Sequence, residues 1–503
     1  MKLTILSCLL VAGPSAVSAV TASAPDFNTS EAGNPFVDGL YADPDNEFYS
    51  NEYWVFPTAS RPYEQQTYLD AFSSPDLIHW TKHANILVAS DFPWATRAVW
   101  APAPISRNGK YYLYFGANDI QTDLETGGIG VGVADHPAGP YKDALGRPLI
   151  GQYHNGAQPI DQDVFIDDAD GQAYIYYGGH GHANVAKLNE DMVSLGTFDD
   201  GTTFKQITPD KYVEGPQMVK RNGTYYLFWS EGGWGGPDYA VSYAMSKSPT
   251  GPFVRLARIL QQDTAVATGC GHNGIIHVPD TDIYYIVYHR HPLGDNVGAD
   301  NRHLAYDRLY FDPDDGTIQP VKMLVHDNFD DGNMLGWTVY DGTWDASSKD
   351  LKASLGSNSN SNSGEAKALL NTNFDDLDFS ADVTIPSSNG GDAGLVFRVS
   401  EPAASADAYR GYYAGISTAG KLVLGRASAG RWTQLAQVRA SIHPAKTYRL
   451  HVMAKGDAIS VSAGDSTMAR IHVLDTTFAS GMDGVRASGT DAVFDNVRVQ
   501  HFP

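Results

Sequence analysis

A short aromatic run recurs five times in the first two thirds of the chain: EYWVF from Glu52, YYLYF from Tyr111, AYIYY from Ala173, TYYLFW from Thr224 and YYIVYH from Tyr284. Tyr53, Tyr112, Tyr174, Tyr226 and Tyr285 hold equivalent places, roughly 50 to 60 residues apart. A repeat of that length with several short strands suits a blade of four-stranded antiparallel sheet, and five copies predict a five-bladed β-propeller over residues 25–325. The fullest copy is YVEGPQMVKRNGTYYLFWSE, residues 212–231. Its Asn222-Gly223 pair supplies the positive φ that a tight hairpin needs before an aromatic strand, so Glu214 is expected on or beside a strand.

About a dozen residues upstream of each repeat tyrosine stand Asp43, Trp100, Asp161, Glu214 and His272. The innermost strand of every blade lines the axis of a propeller, so residues at one offset converge there. Three carboxylates, a tryptophan and a histidine are therefore expected in one pocket. The proline after Asp43 predicts extended backbone at that aspartate. Pro-rich turns at Ser74-Pro75, at residues 136–141 (HPAGPY) and at residues 248–253 (SPTGPF) end strands and blunt the sheet edges.

A chain of 503 residues exceeds what one core usually organises. The aromatic repeat stops near residue 327, and SNSNSNSG at residues 357–364 has no bulk to pack. Beyond it Tyr448, Leu450 and Val452 alternate with Arg449 and His451, and Val497 and Val499 flank Arg498. That period of two predicts a jelly-roll-like β-sandwich over residues 326–503, with Trp337, Trp344 and Trp432 available to its core or to a sugar face. No Pro-rich or Gly/Ser-rich linker separates Val321 from Phe329, so the sandwich is expected to pack on the propeller.

The balance of 58 acidic against 35 basic residues, net charge -23, opposes binding to nucleic acid or anionic membrane and favours a neutral substrate. Residues 1–24 read as a secretory leader: Lys2 opens it, residues 3–11 are apolar, and small residues precede Pro25. A secreted, extracellular protein is expected. Cys8 lies in that leader and leaves Cys270 alone, so no internal disulfide is available and Cys270 reads as a buried apolar residue. Asn28-Thr29-Ser30 and Asn222-Gly223-Thr224 are glycosylation sequons.

Three acids in one pocket suit glycoside cleavage. One carboxylic acid protonates the leaving oxygen, one carboxylate works on the other face, and a third can hold and tune the proton donor. Asp43, Asp161 and Glu214 could divide these roles. No phosphate-binding loop appears, and His180 and His182 are too close for a helical His-x-x-x-His metal site. His272 is the candidate to face a calcium or sodium ion, or water, on the axis. The rival of another class is a catalytically silent propeller that binds glycans.

Tyr41-Ala42-Asp43-Pro44, Trp100-Ala101-Pro102, Ile160-Asp161, Val213-Glu214-Gly215-Pro216 and Gly271-His272-Asn273, in that order, resemble glycoside hydrolase family 43 over residues 34–325. The resemblance implies an inverting mechanism with Asp43 as general base, Glu214 as general acid and Asp161 as the residue that orients and tunes the acid. It implies no cofactor for the chemistry. In the third blade the chain reads Asp161-Gln162-Asp163 where many members have Asp-Pro, which makes Asp163 a rival for the third role. Trp100 and Arg302 are the candidate substrate-binding residues. Propeller followed by sandwich resembles secreted arabinofuranosidases and xylosidases, so the expected activity is release of L-arabinofuranose from arabinoxylan by a monomer. β-Xylosidase and arabinanase are the alternatives.

Overall fold

The computed structural model describes residues 34–294, 298–330, 332–355, 364–405, 407–464 and 469–502. The leader-like residues 1–24, the sequon at Asn28 and residues 357–363 of the serine-asparagine run lie outside them. Blade one comprises β1 (Tyr41–Tyr49), β2 (Glu52–Ala59), β3 (Tyr68–Ser74) and β4 (Thr81–Val88). Blade two comprises β5 (Trp100–Arg107), β6 (Lys110–Ala117), β7 (Gly128–Ala134) and β8 (Lys142–Asp143). Blade three comprises β9 (Asp163–Ile166), β10 (Ala173–Tyr177), β11 (Asn184–Leu188) and β12 (Phe204–Gln206). Blade four comprises β13 (Glu214–Arg221), β14 (Thr224–Glu231), β15 (Ala240–Ser246) and β16 (Val254–Leu260). Blade five has β17 (Ala267–His277), β18 (Tyr284–Pro292) and β19 (His303–Leu309). Each sheet follows chain order, and the result is a five-bladed β-propeller.

The recurrent aromatic run is the second strand of every blade, and its composition follows from being covered on both faces. On β14, Tyr226 and Phe228 pack with Ile286 and Tyr288 of blade five. The alternate residues Tyr225, Leu227 and Trp229 pack with Tyr174 and Tyr176 of blade three. A strand with no solvent face loses the usual apolar-polar alternation, and bulky rings fill the wedge between blades. The turn ahead of it is as the sequence predicts: Asn222 and Gly223 have φ of 49° and 70° and join Arg221 to Thr224.

The ring closes through the segment ahead of β1. Asn34 donates to the Tyr306 carbonyl at 2.9 Å and accepts the Tyr306 amide at 3.0 Å, and the Tyr41 amide donates to the Arg302 carbonyl at 2.9 Å. The start of the propeller is thereby laced to its last strand.

Where each inner strand meets the axis, the backbone turns left-handed. Asp43, Ala101, Asp161, Gly215 and His272 have φ of 47°, 44°, 54°, 62° and 45°. In four blades the pairing register slips at that point, between Ala42 and Asp45, Trp100 and Ala103, Glu214 and Gln217, and Gly271 and Asn273. A bulge of this kind re-aims a side chain, which is how five residues from five blades come to face one space. The extended backbone expected at Asp43 from its proline neighbour is therefore wrong. The bulge overrides the local preference, and the displaced Asp43 amide finds a partner in His289 Nδ1 at 3.1 Å.

The C-terminal part is a β-sandwich of one seven-stranded and one eight-stranded sheet. Its core includes Phe379, Leu395, Phe397, Leu450, Val452, Phe494, Val497 and Val499, and Trp337 and Trp344 pack against it. Trp432 packs with Tyr413 in a second cluster. Arg498, which alternation alone would place in water, is 3% exposed because its strand faces the propeller, beside Tyr306 and Asp307. Tyr310 meets His501 ring to ring at 5.3 Å, Lys322 pairs with Asp375 at 2.6 Å, and the strand Val325–Asp327 already belongs to the sandwich sheet. Cys270 is buried, and burial pushes its thiol up to about 12, which makes it inert.

Because the two parts share this joint, calorimetry should show one cooperative unfolding transition. Asn34→Ala, which unlaces the ring, should lower its midpoint by a few degrees. Two well-separated transitions would contradict the packed joint.

Candidate active site

At one end of the axis a cavity of about 330 Å³ is lined by Asp43, Trp100, Asp161, Glu214, His272 and Arg302, so the structure brings all six expected residues together. Asp163 is elsewhere. Two residues past the left-handed Asp161, it lines a separate cavity of about 530 Å³ with Asp45 and Glu47, and its Oδ2 accepts the Met218 amide at 2.8 Å. Of the two rivals for third acid, Asp161 is the one that shares a space with Asp43 and Glu214.

Asp43 has the cationic neighbour. Arg302 Nη1 lies 3.0 Å from its Oδ1, and Arg302 is itself held by Ser60 Oγ at 3.0 Å and by the face of Trp234, 4.8 Å away. Burial alone would raise the Asp43 carboxyl, but Arg302 and then His272, whose Nδ1 is 3.4 Å away, hold it well below the usual carboxylate range. His289 completes the cradle. Its Nδ1 accepts the Asp43 amide, so its proton sits on Nε2, and burial pushes the ring down to about 3 and keeps it neutral.

Glu214 and Asp161 have the opposite environment. Burial pushes Glu214 up to about 7; Tyr239, whose hydroxyl donates to Oε1 at 2.8 Å, opposes this, and the charge on Asp43 adds to it. Asp161 is raised by burial and by the charges on Glu214 and Asp43, although it accepts the Gly215 amide. In one small cavity the carboxyls are thus pushed apart: one is held ionised and two are disposed to keep a proton at neutral pH.

Trp100 forms a wall, its ring set edge-on to Tyr63 at 4.9 Å. It fits only because residue 116 is glycine, since a Cβ there would lie 2.5 Å from the indole nitrogen. On another side Asp119 accepts from Gln158 at 3.0 Å and Gln121 at 2.8 Å, a polar fence suited to sugar hydroxyls. Sequence reading missed Tyr63, Asp119, Gln121, Gln158, Trp234, Tyr239 and His289. One signal was available for His289: four residues past each repeat tyrosine stand Pro57, Gly116, Gly178, Ser230 and His289, the small or polar places beside the axis.

The calcium or sodium ion, or water, expected at His272 meets no cage of protein side chains among the described residues. Among the described residues no three His, Cys, Asp or Glu side chains are arranged to hold a metal, and His272 Nδ1 is opposed by Asp43 and, at 3.6 Å, by Asp161. A hard cation such as calcium takes six to eight oxygen ligands.

The pattern that describes glycosyl hydrolases family 43 matches residues 32–318, and that of the 3-keto-alpha-glucoside-1,2-lyase-like domain matches residues 326–500. A beta-D-galactofuranosidase from Aspergillus niger is 45% identical over 313 residues, which cover 59% of this chain and 87% of that protein. An arabinoxylan arabinofuranohydrolase from Bacillus subtilis is 30% identical over 377 residues, 63% of this chain and 68% of that protein. A xylosidase/arabinosidase from Humicola insolens is 28% identical over 285 residues, 45% of this chain and 82% of that protein.

The pairing of Asp43 with Arg302 has a consequence for stability. With its carboxyl depressed, Asp43 contributes stability above its unfolded value near 3.8, and that contribution is lost as pH falls. Arg302→Met reverses the sign, because a buried carboxylate without its cation is raised instead. Urea unfolding should show a loss on the order of 3–5 kcal/mol at pH 7 that shrinks towards pH 4. A loss independent of pH would mean that Arg302 is held for packing alone.

Proposed function

Since the chain belongs to glycoside hydrolase family 43, we propose that its propeller removes terminal α-L-arabinofuranosyl groups from arabinoxylan by single displacement with inversion. The observation that carries this reading is the division of charge within one cavity: Asp43 is held ionised by Arg302 while burial keeps a proton on Glu214 near neutral pH. Asp43 takes a proton from water as that water attacks the anomeric carbon. Glu214 gives its proton to the departing glycosidic oxygen, and Asp161, which accepts the amide of Gly215 next to Glu214 in the chain, orients that acid. Trp100 and the Asp119 fence bound the sugar, and a cavity of about 330 Å³ suits one monosaccharide unit with part of the next.

A second reading is supported by the 45% identical beta-D-galactofuranosidase. α-L-Arabinofuranosides and β-D-galactofuranosides share ring configuration from C1 to C4 and differ by one exocyclic carbon with its hydroxyl. A cavity that recognises the furanose ring therefore takes either, and the space beyond C4 decides between them.

Aryl α-L-arabinofuranoside, aryl β-D-galactofuranoside and aryl β-D-xylopyranoside, compared by kcat/KM, test the substrate. The proposal requires the arabinofuranoside to lead. A lead by the galactofuranoside selects the second reading, a lead by the xyloside overturns both, and binding without turnover of any selects a silent propeller. NMR should show β-L-arabinofuranose as the first product.

The roles separate by leaving group. Glu214→Gln should lose about 10² to 10⁴-fold on arabinoxylan yet keep most activity on an aryl glycoside whose phenol leaves unaided, whereas Asp43→Asn should fail on both. Activity should decline above about pH 7 as Glu214 ionises. Equal losses for Glu214→Gln on both substrates would show that the acid is another residue.

A further inference from the structure

Behind Glu214 lies a buried hydroxyl that the mechanism above does not use. Tyr239, 1% exposed, donates from its hydroxyl to Glu214 Oε1 at 2.8 Å. The nearby Ser230 Oγ accepts the His272 backbone amide at 3.0 Å.

The direction of this bond follows from counting protons. The Tyr239 hydroxyl carries one proton, and among the hydrogen bonds of the described residues its acceptor is Glu214 Oε1. In a dry site a proton without an acceptor is costly, so Tyr239 sends its proton to Glu214. Were the bond reversed, with Glu214 donating to Tyr239, the tyrosine proton would be stranded.

The ring that carries this hydroxyl is locked in place. Tyr239 stacks on His289 at 5.5 Å with 14° between planes, and His289 is the ring that takes the Asp43 amide. Gly271 gives it room, since a Cβ there would lie 2.2 Å from the tyrosine ring.

We propose that Tyr239 is a positioning residue that confines the transferable proton of Glu214 to Oε2. Oε1 receives a proton from the wall and cannot carry another towards it, so the acid proton is left on the oxygen that faces the cavity. A hydrogen bond donated to a carboxylate also favours its ionised form, so Tyr239 keeps Glu214 from being too weak an acid. The proposal rests on the reading of Glu214 as general acid.

Tyr239→Phe keeps the stacked ring and removes only the hydroxyl. On arabinoxylan oligosaccharides kcat should fall about tenfold with KM little changed, and an aryl arabinofuranoside should lose less than about threefold. The alkaline limb of the pH profile should move up by about half a unit to one unit. Within a Glu214→Gln background, Tyr239→Phe should add no further dependence on leaving group. Equal losses on both substrates, or a limb that stays or moves down, would overturn the positioning role while the contrast shown by Glu214→Gln alone still stood. If Glu214→Gln itself lacked that contrast, the assignment of the acid would fall and the role of Tyr239 with it.

Discussion

A single guanidinium among three buried carboxyls is the constraint on which the site depends. Like charges this close in a poorly solvated space cannot all ionise, and the group beside the cation is the one that does. Arg302 stands beside Asp43, 3.0 Å away, and opposes the rise of Glu214 and Asp161 without overcoming it. Two neutral or nearly neutral acids and one firm carboxylate follow from that placement. The remaining contacts serve it: Ser60 and Trp234 hold the guanidinium, and His289, kept neutral by burial, takes the Asp43 amide.

The backbone that delivers these groups is strained to do so. A left-handed non-glycine residue costs about 1–2 kcal/mol, and Asp43, Ala101, Asp161 and His272 all adopt that conformation at the axis. The layers of aromatic side chains between blades, and the lacing of Asn34 to Tyr306, hold the inner strands firmly enough for the bulges to persist. A site built from five strand ends thus inherits the rigidity of the ring, which suits chemistry that depends on preorganised charge.

The propeller and the heart of the site were legible because one offset from the repeat tyrosine carries Asp43, Trp100, Asp161, Glu214 and His272 in turn. Repetition turned weak local signals into a shared position on the axis. What escaped lies off the repeat. Trp234 and Tyr239 are in the connection between β14 and β15, and Asp119 and Gln121 in that between β6 and β7; such connections differ from blade to blade and have no counterpart to align. Asp43 shows a different limit: the local rule for a residue before proline was sound, and a non-local bulge with a histidine partner outweighed it. Asp161 and Asp163 could not be told apart by spacing, because two residues along a strand would ordinarily share a face. The positive φ at Asp161 breaks that alternation and sends the two carboxylates to different cavities.

The central claim is that one cavity keeps Asp43 ionised beside Arg302 and a proton on Glu214 Oε2. Neutron diffraction from a deuterium-exchanged crystal near pH 6 reads those positions directly. The account predicts no deuterium on Asp43, deuterium on Glu214 Oε2, and the Tyr239 deuteron directed at Oε1. Deuterium on Asp43 together with a bare Glu214 would contradict it.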